Sequence, residues 1–339
     1  PVWPIITIYP GTFIQDPLVM ATVETPRIPG YRIEKIIGKG AMSTVYLAVQ
    51  ESLDRRVALK VLAPSLATDP TFSKRFVKEG KIVAKLSHPH IVTIYDTGVH
   101  QDCSYIAMEY LEAGTLKERI KSGLSPEQAV KVLVQIAQAL GYAHRQNCIH
   151  RDIKPANILF RNPETAVLSD FGIAKNLEDK TQLTAAGWRI GTPNYMSPEQ
   201  ALGKPVDARC DLYSLGVVFY ETLTGSRPYK GADAFETAIL HVKGPIPTLP
   251  EPLRQFQPVI NRLLAKTPEA RFASAEELAQ VIQNATTGKT AARPGRRWSR
   301  WLVAMLLAVA LVGLGAALAW RYWPTAAHVP PLPTPIQPR

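Results

Sequence analysis

The residues best suited to chemistry fall in four short stretches between Gly38 and Gly172. Gly38-Lys39-Gly40-Ala41-Met42-Ser43-Thr44-Val45 lies between two stretches of strand character. Its glycines let the backbone turn tightly and bring N–H groups up to phosphate oxygens. A strand on each side disfavours a dinucleotide-binding loop, which must lead into a helix, and no Gly-Lys-Ser/Thr follows to make a Walker loop. In a hairpin such a Gly-x-Gly is equally an ordinary turn. One strand on, Val57-Ala58-Leu59-Lys60 carries a lysine that Glu79, in the next helical stretch, could hold as an ion pair, with the ammonium in reach of α- and β-phosphates. His150-Arg151-Asp152-Ile153-Lys154-Pro155-Ala156-Asn157 packs five polar or charged residues into eight, beside the apolar Ile158-Leu159-Phe160. A surface turn explains poorly why Asp152, Lys154 and Asn157 recur at such short spacing next to a buried strand. Ser169-Asp170-Phe171-Gly172 follows the next short strand; alone it reads as a turn.

The elements that must position these residues are legible in the pattern. Arg32–Gly38, Thr44–Val49 and Arg56–Val61 read as strands, short and separated by Gly or polar turns. Phe72–Leu86 reads as a helix, and Ile91–Tyr95 and Tyr105–Tyr110 as two more strands. After Gly114 the pattern turns helical. Ser125 caps a helix with Pro126 at its first position, running to about His144. Further helices are expected at Asp211–Leu223, Phe235–His241 and Ala275–Asn284. A small β-rich lobe followed by a larger helical one is an α+β arrangement.

Composition sets the frame. The 339 residues are 46% hydrophobic and 20% charged, enough for a substantial core and too apolar for a disordered chain. The net charge of +11 reads as surface and juxtamembrane charge, with no nucleic-acid partner expected. Three scattered cysteines, Cys103, Cys148 and Cys210, exclude a disulfide framework and a zinc site. Residues 1–30 read as a disordered or artefactual extension, Met20 being the first methionine. The globular region spans 31–284, with a strand-rich lobe at 31–110 and a helical lobe at 111–284.

Together, in this order, the Gly-rich loop, Ala-x-Lys, helix Glu, His-Arg-Asp, Asp-Phe-Gly and Ser197-Pro198-Glu199 match the protein-kinase signature set. The chain resembles the eukaryotic-like (Hanks-type) serine/threonine kinases of bacteria over about residues 31–284. That resemblance implies a bilobal fold binding ATP between the lobes. It implies a hinge at Met108-Glu109-Tyr110-Leu111, with Met108 beside the adenine and backbone groups of Glu109 and Leu111 on its edge. Ile37, Val45, Ala58 and Leu159 would sandwich the base, and residues 38–45 would cover the phosphates. Asp152 would orient the substrate hydroxyl and take its proton, Lys154 neutralise the moving phosphoryl group, and Lys60, held by Glu79, fix the α- and β-phosphates. Asn157 and Asp170 would supply oxygen ligands to Mg²⁺, with Mn²⁺ as an alternative. Lys154 together with Thr192 is the serine/threonine pattern, and the substrates would be proteins. Two departures stand out: Ser43 replaces the third glycine of the loop, and Ser197-Pro198-Glu199 replaces the usual Ala-Pro-Glu. Glu199 would pair with Arg271. Rival readings are a catalytically dead binding scaffold, against which Lys60, Asp152 and Asp170 argue, and a small-molecule kinase, against which the long segment from Asp170 to Glu199 argues.

Two regulatory expectations follow. Phosphorylation of Thr184, or of Thr181, would let Arg151 pair with the phosphate and order the loop. Residues 301–320, uncharged from Trp301 to Trp320 and bracketed by aromatics, have the length of a membrane span. Lys289, Arg293, Arg296, Arg297 and Arg300 in the linker 285–300 precede it, so the positive-inside rule puts the kinase in the cytoplasm and the Pro-rich tail 321–339 outside the plasma (inner) membrane. Ala304, Ala308, Gly313 and Ala317 offer small residues for pairing two spans into a homodimer.

Overall fold

β-Branched and aromatic residues crowd the chain from Tyr31 to Glu109, and this stretch builds a five-stranded antiparallel sheet. The computed structural model describes residues 26–40, 42–63, 66, 70–101, 103–171 and 193–286. The strands are β1 (Tyr31–Lys39), β2 (Ser43–Gln50), β3 (Arg55–Leu62), β4 (Ile94–His100) and β5 (Cys103–Glu109), in the order β1-β2-β3-β5-β4. Helix α1 (Pro70–Val83) packs on β4 and β5. Ala58, Leu62, Ile106 and Met108 face one buried cluster with Phe76 of α1, while Ala48, Val57, Leu59 and Ala107 fill another on the opposite face. The central strands are therefore apolar on both sides.

Ile28, buried and bridged to Tyr31, extends this packing three residues before the expected start at Tyr31. Helix α1 also ends earlier than its pattern suggested, and the strand expected at Ile91–Tyr95 lies instead at Ile94–His100. The reason is tertiary. Residues 88–93 leave the sheet and run beside β7 (Thr165–Leu168): Leu168 donates its N–H to the His90 carbonyl at 2.9 Å, and Val92 donates to the Leu168 carbonyl at 3.0 Å. An apolar run that pairs with the second lobe is indistinguishable by pattern from one that pairs with the first.

The second lobe is helical. Helices α2 (Leu116–Ser122) and α3 (Pro126–Arg145) begin with reciprocal capping boxes, Thr115 with Glu118 and Ser125 with Gln128. Strands β6 (Ile158–Asn162) and β7 form a two-stranded ribbon. Helix α4 (Pro198–Ala201) is capped by Ser197 and Gln200. Helix α5 (Arg209–Thr224) is apolar all round and buried continuously from Cys210 to Phe219, as a central helix must be. Gly216 lets it approach α7 (Gln257–Leu263) closely, since a Cβ there would stand 2.6 Å from the Leu263 Cβ. Helices α6 (Ala234–Lys243) and α8 (Ala275–Thr286) complete the lobe, α8 lying along α3.

The expected Glu199–Arg271 pair is present as a buried fork with both N–H···O distances at 2.7 Å, and it links α4 to the segment before α8. No helix among the described residues is long and apolar enough to cross a membrane; the span expected at 301–320 lies outside them, as does the linker from residue 287 onward.

A buried cluster ties α6 to the chain before α4. Tyr213 donates its hydroxyl to His241 Nδ1 at 3.0 Å, and His241 Nε2 meets the Asn194 carbonyl at 3.1 Å. Lys266 spans Tyr229 and the carbonyls of Leu240 and His241. Burial, reinforced by the Lys266 charge, pulls the His241 imidazole down to about 4. A histidine with a lowered folded pKa stays neutral in the fold while the unfolded chain takes up a proton below about 6.5. Its contribution to stability is full above pH 6.5 and is lost as the pH falls toward 4, on the order of 3 kcal/mol across the window. Urea melts between pH 7 and 4 should therefore show a loss that is shallower in His241→Gln. Equal slopes in the two proteins would remove His241 as the cause.

Candidate active site

The site is organised by a carboxylate that is not in it. Asp211 is fully buried in the first turn of α5, and its two oxygens accept the backbone N–H groups of His150 at 2.8 Å and Arg151 at 2.7 Å. His144 Nε2 donates to the same carboxylate at 2.8 Å. Burial raises the Asp211 pKa, but the bond from His144 and the accompanying charges outweigh it, leaving the group below the ordinary carboxylate range. This anchor matters because Arg151 sits at φ 64, a left-handed conformation that costs a non-glycine residue energy. Asp211 holds the N–H side of that residue and Gln200 the carbonyl side, at 3.1 Å.

The turn so held aims Asp152, Lys154 and Asn157 at one place. Lys154 Nζ lies 2.7 Å from Asp152 Oδ2, and the Asn157 amide donates to the Asp152 carbonyl at 2.9 Å and to Oδ2 at 3.1 Å. Ser169 laces this loop to the next: it donates its N–H and hydroxyl to the Asn157 carbonyl, at 2.9 and 3.1 Å, and accepts from His150 Nε2 at 2.9 Å. Burial lowers the pKa of His150, so its ring is neutral, and Phe171 packs on it at 4.6 Å. Asp170, at φ 56, is thereby presented toward the first lobe. There Lys60 of β3 reaches it at 2.8 Å. Burial pushes the Asp170 pKa up, and the Lys60 ammonium more than offsets this, so the group is a carboxylate well below neutrality.

Above these groups, Val45, Ala58, Met108, Leu111 and Leu159 belong to one apolar cluster, while Ile37 stands more exposed at the lip. Gly38 pairs with Val45 and Lys39 with Thr44 across the β1–β2 turn, and Gly40 donates to the Ser43 carbonyl at 2.8 Å. Met42 anchors the turn from the other side, accepting the Ala63 N–H at 2.9 Å. The Glu109 N–H is spent on the Thr93 carbonyl at 2.9 Å, so the backbone group it can offer a base is its carbonyl. Ala41, Thr181, Thr184 and Thr192 lie outside the described residues, and so does the side chain of Glu79, whose backbone is in α1.

Sequence reasoning missed Asp211 as the anchor of the loop. Its signal was a carboxylate within the apolar, continuously buried stretch Cys210–Phe219, a place where an acid persists only if bonded. It also missed Arg161, whose guanidinium grips Glu109. Asp211→Asn would turn one acceptor into a donor facing an N–H, at a cost of about 1–3 kcal/mol. The expected reading is a lower urea midpoint with an unchanged m-value. An unshifted midpoint would show that the strained turn holds itself.

The donor set also fits a hard divalent cation. Asn157 spends its amide nitrogen on Asp152 and keeps its oxygen to offer, and Asp170 has a second carboxylate oxygen beyond the one on Lys60.

Comparison with known proteins gives the same picture. Residues 31–282 match the family described as protein kinase domain. The chain is 40% identical over 276 residues to the serine/threonine-protein kinase PknB of Mycobacterium leprae, covering 78% of this chain and 44% of that one. It is also 40% identical over 266 residues to the serine/threonine-protein kinase PrkC of Bacillus subtilis, covering 76% of this chain and 41% of the other. It thus spans less than half the length of these curated relatives. Among solved structures, the PknI kinase domain of Mycobacterium tuberculosis superposes with a TM-score of 0.62 at 28% identity, covering 78% of this chain and 99% of that one. With its sheet lobe, helical lobe and laced catalytic turn, the chain belongs to the protein kinase family, in its bacterial serine/threonine branch.

Proposed function

We propose that this chain transfers the γ-phosphate of ATP to serine or threonine hydroxyls of proteins. The observation that carries the reading is the convergence of Asp152, Lys154, Asn157 and the Lys60–Asp170 pair on one cleft between the lobes. The adenine lies in the cluster of Val45, Ala58, Met108, Leu111 and Leu159, with its edge on the Glu109 carbonyl and the Leu111 N–H. Lys60 exchanges its contact with Asp170 for the α- and β-phosphates. Asp152 accepts a hydrogen bond from the substrate hydroxyl and aims its oxygen at the γ-phosphorus. As the new O–P bond forms, the bond to the β–γ bridging oxygen breaks and ADP departs with that electron pair. The hydroxyl proton passes late to Asp152. Lys154, already on the Asp152 carboxylate, is placed to neutralise charge gathering on the moving group. A divalent cation, Mg²⁺ in the ordinary case, would be held by Asn157 and Asp170 and would supply further charge neutralisation at the phosphates.

The loop between Asp170 and Glu199 is the proposed switch, with phosphate on Thr184 or Thr181 pairing with Arg151. Asp152→Asn keeps the shape of the site and removes the base. Transfer of radiolabel to a generic basic protein should fall on the order of 10²–10⁴-fold while ATP still binds. Wild-type turnover in that variant would overturn the mechanism. The same incubation, followed by mass mapping, locates the autophosphorylated threonine.

The uncharged run from Trp301 to Trp320 supports a single span, with the basic linker before it holding the catalytic domain in the cytoplasm. The small residues along it support pairing of two copies. Protease added to intact spheroplasts should remove a C-terminal tag and spare the kinase domain. A protected tag with a digested kinase would reverse the orientation.

A further inference from the structure

Arg161 stands on β6, two residues beyond Leu159, at an irregularity in the β6–β7 pairing between Phe160 and Asn162. Leu159 packs into the apolar cluster assigned to the adenine. Arg161 reaches the hinge instead: its Nε and Nη2 donate to Glu109 Oε1 and Oε2 at 2.6 and 2.8 Å, a parallel fork. The third nitrogen, Nη1, donates to the Pro89 carbonyl at 2.7 Å. Glu109 is thus held twice, by its N–H on Thr93 and by its carboxylate on Arg161. Both holds run into residues 88–93, which are themselves hydrogen-bonded to β7 of the helical lobe. The pair is shielded, with side-chain exposures of 33% for Arg161 and 17% for Glu109.

From this geometry we infer that Arg161 is a positioning residue for nucleotide recognition, fixing the hinge carbonyl of Glu109 at a set distance from the Leu159 floor of the adenine pocket. The inference rests on the reading of this cleft as an ATP site. The chemical logic is that the fork fixes direction as well as distance, because a planar guanidinium meets a carboxylate along two parallel bonds. A lysine would keep the charge and lose the direction. The groups that act on the transferred phosphoryl, Asp152, Lys154 and Lys60, are bonded to other partners and are not touched by Arg161. Loss of the fork should therefore weaken nucleotide binding and leave the chemical step nearly intact. A residue that merely stabilises the fold would instead lower active concentration without changing KM.

The test uses the full chain in detergent. Arg161→Met and Arg161→Lys are compared with wild type for KM(ATP), kcat and the Kd of a fluorescent ADP analogue, with thermal melts to establish folding. Arg161→Met is expected to raise KM and Kd about tenfold with kcat within about twofold, as a misplaced binding contact does. Arg161→Lys should recover little of the loss. Glu109→Gln should weaken binding in the wild-type background and add almost nothing on top of Arg161→Met, because paired residues are not additive. A folded Arg161→Met with wild-type KM and Kd overturns the positioning role, as does a fall in kcat alone or a full rescue by lysine. A wild-type chain that binds no ATP analogue would overturn the ATP reading itself, a result distinguishable from all of these.

Discussion

Much of this structure depends on one buried carboxylate. Asp211 lies in the continuously buried stretch Cys210–Phe219 of α5, where a charge is tolerated only if its lone pairs are bonded. Its work is to accept two consecutive backbone N–H groups from the turn that precedes Asp152. Two adjacent N–H groups can point at one carboxylate only if the backbone between them bends sharply, and Arg151 at φ 64 makes that bend. The hydrogen bonds between them offset both the strain at Arg151 and the burial of the carboxylate. From this contact the rest is reached in short steps. His150 passes the constraint to Ser169, Ser169 to Asn157, and the position of Ser169 aims Asp170 at Lys60.

The helical lobe is built to keep that anchor still. Helix α5 is covered on all sides, Gly216 permits the near approach of α7, and α3 supplies His144 to the far side of Asp211. The Glu199–Arg271 fork closes the same region from outside, with the Arg271 guanidinium also donating to the Arg209 carbonyl at the start of α5 at 3.0 Å. A buried ion pair of this kind adds little net stability compared with apolar packing, but breaking one half leaves a charge stranded. Its value lies in directing the chain into α4 along one path, since Ser197 then caps the helix and Gln200 is brought to the Arg151 carbonyl.

The candidate catalytic groups were legible because their types are rare at those spacings: Asp152, Lys154 and Asn157 within six residues, and Asp170 after a short apolar strand. The strands and capped helices were legible for the same local reasons, as the Ser125-Pro126 start of α3 shows. What was not legible depended on partners far away in sequence. Ile91 has the composition of a sheet strand but pairs with Leu168, so β4 begins later than its pattern suggests. Ile28 precedes a Pro-Gly turn that reads as a boundary, yet it is buried under the sheet. Asp211 and Arg161 are single residues without a motif, and their meaning appears only when His150 and Glu109 are beside them.

Two of the ion pairs that cross between the lobes near the cleft differ in a way that bears on function. The Glu109–Arg161 contact is bidentate, and the same guanidinium also donates to the Pro89 carbonyl. The Lys60–Asp170 contact is single, and its Asp170 side chain is 37% exposed. A triphosphate carries more charge and more acceptor oxygens than one carboxylate, so it can compete with Asp170 for Lys60 and leave Asp170 for a cation. The site thus holds its lysine by a single contact within reach of where it is needed, and its hinge by a double one. Positioning of the base is fixed in advance, while positioning of the phosphates is completed by the nucleotide itself.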